Sequence, residues 1–248
     1  MSDHALVLTY HSISDAPGPT SISPDSFAMQ METLARCGYA SARTQEFLDW
    51  HQGKGDMARK VLITFDDAFA DFAEVAVPIL ERHGFTALMF VPTRKLGGAE
   101  DWYTFPPTNR PLMRRDQILA LHKQGMEFGA HGRTHCPLPS VSGDARADEI
   151  AGSGADLAEW LGAFPPAFAA PYGAVDNNVV CEIADHYAIA FGTRFAEARR
   201  TDHRHDIPRI DMHYFRAPLA WRNFLEGGRL YFTARQTLRR VGQALRKG

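Results

Sequence analysis

Short apolar runs alternate along the chain with longer stretches in which apolar residues recur every three or four positions. A short apolar run bounded by turn residues is typical of a buried strand, and a longer periodic stretch is typical of an amphipathic helix. The pattern predicts seven strands, at residues 5–10, 60–65, 86–92, 126–131, 167–171, 187–193 and 207–212. It predicts helices between them at residues 27–37, 71–83, 116–124, 145–161 and 177–185.

The alternation of strands and helices predicts a parallel sheet with right-handed crossover connections. About seven such units in 248 residues favour one closed or nearly closed barrel over an open sheet. In barrels of this kind the chemistry lies at the carboxyl ends of the strands. The residues that follow each strand are therefore the first candidates for a functional site.

The predicted strand 60–65 ends in two adjacent carboxylates, Asp66 and Asp67. Burying a carboxylate is costly unless a cation or hydrogen-bond donors offset its charge, and a second carboxylate beside it adds to the cost. Histidines follow other strands, and the barrel would bring them to the same rim. The chemically capable residues at the strand ends are His11, Asp66, Asp67, His131, His135, Pro171, Tyr172, Asp211 and His213.

His131 and His135 stand four residues apart, so their imidazoles lie on one side of a turn. Two histidines, one carboxylate and open positions for water form the ligand set of a catalytic divalent metal. Zn²⁺ is the default expectation, and Co²⁺, Ni²⁺ or Fe²⁺ would accept the same ligands. One aspartate would then bind the metal while the other acts as a general base. The alternative is that Asp66 is a surface residue or the N-cap of the next helix.

The segments TFDDAFADF, GMEFGAHGRTH and FAAPYG resemble, in this order, the first three motifs of the polysaccharide deacetylases, which form carbohydrate esterase family 4 and share the NodB-homology domain. Ala68 departs from the usual TFDDG of the first motif. The resemblance implies a distorted (β/α)7 barrel and metal-dependent removal of acetyl groups from sugars. It also implies that Asp66 is the catalytic base and that the metal ligands are Asp67, His131 and His135.

Two features depart from the usual motifs of that family. Ala169 stands where the third motif usually begins with Arg, and no late histidine matches the family's general acid. Both features resemble the circularly permuted branch that includes the poly-N-acetylglucosamine deacetylases, where the acid histidine lies in an N-terminal YH motif. His11, in LTYHSIS, is therefore expected to be the acid, with His213 as its rival. Arg209 on the last predicted strand is a candidate to supply the missing guanidinium.

Further residues are predicted to contact the substrate. By the resemblance, the backbone N–H of Tyr172, beside Pro171, stabilises the oxyanion that forms when water attacks an acetyl carbonyl. Trp102 and Tyr103 lie in the long loop after the third strand, where they either stack on a pyranose ring or pin the loop. Asp211 ends the last strand and is expected to face the same site.

The charge of the chain is concentrated at its end. Residues 222–248 hold seven of the 27 Lys and Arg residues and one of the 29 Asp and Glu residues, a net charge of +6, so residues 1–221 carry −8. An acidic body makes nucleic acid an unfavourable partner. We therefore divide the chain into a deacetylase-like barrel, residues 1–221, and a basic amphipathic helical tail, residues 222–248.

The tail has an apolar stripe on one predicted helical face, formed by Tyr231, Ala234, Leu238, Val241 and Leu245. Arg235 and Arg239 are expected to face largely elsewhere. Such a helix either packs its stripe on the barrel or on a second copy of the chain, or lies on the anionic inner face of a membrane.

The start of the chain, MSDHALVLTYHS, lacks the features of a signal peptide, and the three cysteines are scattered. These observations predict a cytoplasmic protein. We therefore expect removal of N-acetyl groups from N-acetylhexosamine units of an exopolysaccharide or its lipid-linked precursor, as is thought for the holdfast-type deacetylases of stalked bacteria. The alternatives are an amidohydrolase of the same fold acting on a non-sugar amide and an inactive sugar-binding protein, which Ala169 would favour.

Overall fold

The structure, a computed structural model, describes residues 2–102 and 108–245, with residues 240 and 242–245 as backbone only. Tyr103 and residues 246–248 lie outside the described residues. The strands are β1 (His4–Tyr10), β2 (Ser12–Ile13), β3 (Ser21–Ile22), β4 (Ala40–Ser41), β5 (Lys60–Phe65), β6 (Leu88–Val91), β7 (Glu127–Ala130), β8 (Ala167–Ala169), β9 (Ile189–Phe191), β10 (Ala198–Arg199) and β11 (Ile210–Asp211). The helices are α1 (Pro24–Arg36), α2 (Thr44–His51), α3 (Val77–Arg82), α4 (Arg115–Lys123), α5 (Asp144–Ala147), α6 (Ser153–Leu161), α7 (Asn177–His186), α8 (Pro218–Leu225) and α9 (Leu230–Leu245), with π-helical turns at Phe72–Ala76 and Asp148–Gly152.

Parallel strands form the wall of a barrel. β1, β5, β6, β7, β8 and β9 pair in that order. The segment that ends in β11 completes the circuit, because Ile207 bridges to Phe191 of β9 while β11 pairs with β1. These segments correspond to the predicted strands, and the predicted distorted barrel is confirmed. The pattern did not predict two short additions, β10 against β1 and β4 against β5.

Side chains along each strand alternate between the barrel interior and the surface covered by helices. Val7, Leu62 and Phe90 belong to one buried apolar cluster, and the neighbours Leu8 and Ile63 belong to another. The first cluster fills the barrel and the second lies beneath the helices. At the carboxyl ends, the same alternation brings polar residues into the barrel mouth, namely Thr9, Asp66, His131, Thr193, Arg209 and Asp211.

Helix α2 closes the amino end of the barrel, and the sequence pattern did not predict it because it is short. Its Trp50 is fully buried and donates a hydrogen bond to the carbonyl oxygen of Ser2, just before β1. Phe47 packs against Phe191 with 5.8 Å between ring centroids, and Phe191 lies 5.6 Å from Phe90 in the same way. Aromatic rings therefore fill the lower barrel, and the site lies at the opposite end.

The last two helices pack on the barrel. The boundary predicted from charge, after residue 221, lies inside α8. The Trp221 indole donates to the carbonyl oxygen of Gln30 in α1 at 3.1 Å and stacks on Phe224. In α9 the Tyr231 hydroxyl donates to the carbonyl oxygen of Tyr214 at 2.5 Å, and Phe232 is buried. The start of the basic tail is therefore part of the folded body.

The face that α9 turns to the barrel differs from the predicted stripe. Gln236 and Arg239 donate hydrogen bonds to backbone carbonyl groups of the barrel, and the Arg235 guanidinium lies over the ring of Tyr214. Leu238 and Val241 of the stripe are 64% and 52% exposed. Arg235 and Arg239 do lie on a different face from Leu238 and Val241, as expected, but the arginine face is the one that packs on the barrel. Within the described residues, no helix has the length and apolar character needed to cross a membrane.

Candidate active site

Asp67, His131 and His135 point at one another at the open end of the barrel. Oδ1 of Asp67 lies 3.2 Å from Nε2 of His131 and 3.1 Å from Nε2 of His135. All three side chains are buried, and one ligand atom from each lies within 4.8 Å of the others. The structure therefore brings the three predicted ligands into an arrangement that suits a divalent metal.

The backbone around these ligands is strained. Asp67, Ala68, His135 and Tyr172 all have positive φ angles, of 76°, 59°, 60° and 61°. Each such residue other than glycine costs about 1–2 kcal/mol, and clusters of them are typical of functional sites. The turn at Asp67 also separates its carboxylate from that of Asp66, so the two adjacent aspartates have different partners. Ala68 occupies the position where the usual motif has glycine, which accepts a positive φ without strain.

The two histidines are held by different contacts. Nδ1 of His131 donates to the carbonyl oxygen of Ala169 at 2.7 Å, which leaves Nε2 free to bind a metal. Nδ1 of His135 has no hydrogen-bond partner among the described residues. Its ring instead stacks against the ring of Trp102, with 4.1 Å between centroids, and contacts the ring of Tyr172 edge-on, with 4.7 Å between centroids. Trp102 therefore contacts a predicted ligand directly.

Glu149 clamps the loop between the histidines, and the sequence pattern did not single it out. Its carboxylate accepts hydrogen bonds from the backbone N–H groups of Arg133 and Thr134, at 2.8 and 3.0 Å, and from the Thr134 hydroxyl at 2.6 Å. A Cβ atom on Gly132 would lie 2.8 Å from that carboxylate, so glycine is required beneath it. In the sequence Glu149 is one acid among several in a predicted helix, with nothing to distinguish it.

The protonation states fit a metal site. Burial opposes ionisation of Asp67, yet hydrogen bonds from His131 and His135 hold its pKa well below the ordinary 3.8. Burial also lowers the pKa of His135 below its ordinary 6.5, which keeps that imidazole neutral. Burial opposes protonation of His131 too, but its hydrogen bond to Asp67 and the charge of Asp66 raise its pKa, so a metal would displace a proton from that imidazole. Carboxylate and neutral imidazole are the forms that bind metals. Asp67, His131 and His135 therefore fit the divalent ion that the resemblance implies.

Asp66 faces Arg209. Nη1 and Nη2 of Arg209 donate to Oδ1 and Oδ2 of Asp66 at 2.7 and 2.8 Å. Arg209 is fixed in turn by Nε, which donates to the carbonyl oxygen of Gly192, and by Nη1, which donates to the Thr64 hydroxyl. Burial raises the pKa of Asp66, but the Arg209 guanidinium outweighs it and the pKa lies below 3.8. The structure thus places a guanidinium on Asp66 although Ala169 replaces the usual arginine.

His11 also lies near Asp66, with 3.8 Å between its Nε2 and Oδ2 of the aspartate, and its side chain is 26% exposed. His213 is not among the described residues that line the cavity. Its Nδ1 accepts a hydrogen bond from Arg216 at 2.8 Å, and burial together with the Arg216 charge lowers its pKa. Of the two histidines considered for the acid, the geometry therefore favours His11.

The site residues line one cavity of about 180 Å³ at the barrel mouth. Pro171 is buried and directs Tyr172, which is 52% exposed, over the opening. Thr9 and Thr193 were not predicted, although each lies at an inward-facing strand end and the alternation along the strands could have identified both. The described residues that line the cavity are Thr9, His11, Thr20, Asp66, Asp67, Trp102, His131, His135, Ala170, Tyr172, Gly173, Thr193, Arg209, Asp211 and Arg239.

A family model described as "Polysaccharide deacetylase" matches residues 53–191. The chain belongs to the polysaccharide deacetylase family. The matched region contains both aspartates, the two histidines predicted to bind the metal, and Tyr172. His11 and Arg209 lie outside it, so the site of this family member is completed by residues from both flanks of the matched region.

Comparisons with individual proteins agree with this assignment. The Bacillus subtilis (strain 168) protein YxkH, also named for the polysaccharide deacetylases, is 26% identical over 148 residues, which cover 59% of this chain. That match spans about half the length of the relative, 49%. IcaB from Ammonifex degensii superposes with a TM-score of 0.77 at 23% identity, over 92% of this chain and 98% of that one. Streptococcus pyogenes deacetylase PplD in complex with acetate gives a TM-score of 0.73 at 23% identity, over 84% and 92%.

Proposed function

We propose that the protein is a metal-dependent hydrolase that removes N-acetyl groups from N-acetylhexosamine units of an exopolysaccharide or its lipid-linked precursor. The observation that carries this proposal is the convergence, in one cavity, of a carboxylate with two imidazoles, a second carboxylate and a third imidazole. Family membership supports the reaction class. Family membership also supports a glycan substrate over a non-sugar amide.

Asp66 is the proposed general base. It is charged at neutral pH and Arg209 holds both of its oxygens, so its orientation toward the cavity is fixed. A divalent metal held by Asp67, His131 and His135 would supply Lewis acidity toward the acetyl oxygen and lower the pKa of a water ligand. Asp66 takes the proton of the attacking water, which a carboxylate does most effectively when it is already oriented.

His11 is the proposed general acid. Its Nε2 lies 3.8 Å from Asp66, and the side chain is partly exposed to the cavity. Once the tetrahedral intermediate has formed, the leaving nitrogen needs a proton, and an imidazole that lines the cavity without being one of the proposed ligands can donate it. The backbone N–H of Tyr172 is the proposed donor to the oxyanion, from a turn that Pro171 holds in place.

Acetate release from N-acetylglucosamine oligomers tests the proposal. The Asp66→Asn variant should bind the metal as the wild type does and lose about 10²–10⁴-fold in rate. Asp116→Asn, which removes a carboxylate on the exposed surface, is the matched control and should keep full activity. If the wild type binds oligomers and metal but releases no acetate, it is an inactive sugar-binding protein. If it hydrolyses only simple amides, the sugar assignment is wrong.

We further propose that α9 brings the active site to an anionic membrane surface that carries lipid-linked substrate. Leu238 and Val241 are exposed on the side of α9 away from the barrel contacts. Apolar side chains and Lys or Arg residues on one helix are typical of helices that lie in a membrane interface. A homodimer through the same face is the competing arrangement, and the two arrangements differ in whether anionic vesicles bind the protein.

A further inference from the structure

Helix α9 contributes a side chain to the cavity mouth, although it lies outside the region that matches the family model. The helix is docked through Tyr231 and Phe232, whose ring lies 5.0 Å from that of Phe195. One and two helical turns later, Gln236 and Arg239 face the same way. Arg239 is therefore delivered to the cavity by a helix whose first two turns are anchored in the core.

The polar contacts of the Arg239 guanidinium are long. Nη1 lies 3.5 Å from Oδ2 of Asp211, and Nη2 donates to the carbonyl oxygen of Thr193 at 3.4 Å, both near the upper limit for such contacts. The guanidinium carbon lies 5.6 Å from the centroid of each of the Phe195 and Tyr214 rings, which fixes the direction of the side chain. A guanidinium has five N–H donors, so Arg239 keeps donors for a ligand while 25% of its side chain remains exposed.

The neighbouring charges are mostly positive. Arg216 and Arg235 are not among the described residues that line the cavity. Arg235 lies over the same Tyr214 ring as Arg239, and the charges of Arg216 and Arg235 both act on the adjacent His213. Together with Arg239 they form what we call the basic rim. Arg216 contacts His213, and Arg235 lies over the ring of Tyr214. The nearby carboxylate is Asp211. The lowered pKa of His213, due first to burial and then to Arg216, is consistent with a positive local potential.

Resting on the deacetylase function proposed above, we propose that the basic rim is a subsite for an anionic substituent of the glycan, a phosphate ester or a carboxylate, with Arg239 as the residue that binds it. The bidentate geometry of a guanidinium matches the oxygens of both groups. A neutral N-acetylhexosamine polymer would give no reason for the Arg239 guanidinium in the cavity lining with two further guanidinium groups near it. The reacting acetamide would lie at the aspartates while the anion lies at α9.

Binding of unreactive glucose oligomers tests the subsite independently of catalysis. Cellotetraose, its reducing-end 1-phosphate and its aldonate carry no acetamide, so titration calorimetry with the wild-type protein measures affinity without turnover. We expect at least one anionic oligomer to bind about tenfold more tightly than the neutral one at low salt, with the preference falling as salt rises. The phosphate and aldonate arms show which anion is preferred.

Variants assign that preference to Arg239. Arg239→Gln should abolish the difference between anionic and neutral oligomers, and Arg239→Lys should keep part of it. Arg222→Gln, which removes the same charge from an exposed position on α8, should leave it unchanged. The ratio of the two affinities does not respond to a general loss of folded protein. Equal binding of all three oligomers by the wild type, or a preference that survives Arg239→Gln, would overturn the proposal.

Acetate release from the matching N-acetylglucosamine oligomers separates this proposal from the proposed function. If acetate is released but the anionic oligomers bind no more tightly than the neutral one, the deacetylase function is supported and the subsite is refuted. If the anionic oligomers bind more tightly but no acetate is released, the subsite is supported and the deacetylase function is refuted.

Discussion

Replacing Arg209 with methionine is expected to lower the activity of the enzyme by changing the protonation of Asp66. The two side chains form a bidentate pair and are only 2% and 6% exposed. Removing one partner of a buried pair costs about 3–5 kcal/mol, because the remaining charge is left without compensation. Arg209 is what keeps the pKa of Asp66 low, against the effect of burial. Without it, burial raises the pKa of the carboxyl, and Asp66 takes up a proton at a pH where the wild type is charged.

The assay is the pH dependence of kcat/KM for acetate release. A protonated base is inactive, so the acid limb of the profile should move to higher pH in Arg209→Met. An energy of the size given above corresponds to a displacement of more than one pH unit, since one unit is about 1.4 kcal/mol. Metal content should stay at the wild-type level, because Arg209 contacts none of the three ligands. Arg204 is exposed and lies in the loop that precedes Arg209. Arg204→Met is therefore the matched control and should leave the pH profile unchanged.

A double variant distinguishes an effect through Asp66 from a general loss of folding. If Arg209 acts through the aspartate, Arg209→Met combined with Asp66→Asn should be no less active than Asp66→Asn alone. It should also be more stable than Arg209→Met, because the unpaired buried charge is gone. An acid limb that stays at the wild-type pH in Arg209→Met, or losses that simply add in the double variant, would refute the reasoning.

Two further predictions concern the acid and the last helix. His11→Ala should lower kcat at least tenfold more than His213→Ala, with metal content unchanged in both, because His11 lines the cavity and His213 is not among the described residues that do. An inactive His213 variant beside an active His11 variant would reverse the assignment. Leu238→Ser combined with Val241→Ser should weaken binding to anionic vesicles while acetate release from soluble oligomers is kept, since neither side chain is in the core. A wild type that ignores such vesicles at low salt and sediments as a dimer would favour the protein interface.

The sequence predicted the barrel well because the wall strands contain short runs of mostly apolar residues, such as KVLITF in β5. It did not predict α2, whose eight residues span barely two turns and whose N-cap, Arg43, makes no side-chain capping bond of the usual kind. Burial of Phe47 and Trp50 against the barrel, rather than local propensity, determines that helix. The π-helical turns were not predicted either, because the apolar pattern there follows an ordinary helix.

The candidate site was predicted where its residues lie at the ends of strands. Asp66, Asp67 and His131 follow their strands directly, so topology alone brings them together. Glu149 and Arg239 were missed as site residues because their positions depend on tertiary packing. Glu149 reaches the histidine loop from the next helix. Arg239 reaches the cavity only because α9 docks through Tyr231 of the predicted stripe together with Phe232 and Gln236, which lie outside the stripe.

The closed lower end of the barrel restricts how substrate enters and how products leave. Phe90, Phe191 and α2 fill the interior below Arg209, so the described part of the chain offers no passage to the other end. In the proposed deacetylation, the glycan, the released acetate and the deacetylated product would all have to use one opening. A polymer has to lie across that opening, with one residue dipping inward, and cannot thread through. Acetate would therefore depart only once the overlying sugar lifts or shifts along, so the order in which the products leave is set by the architecture of the barrel.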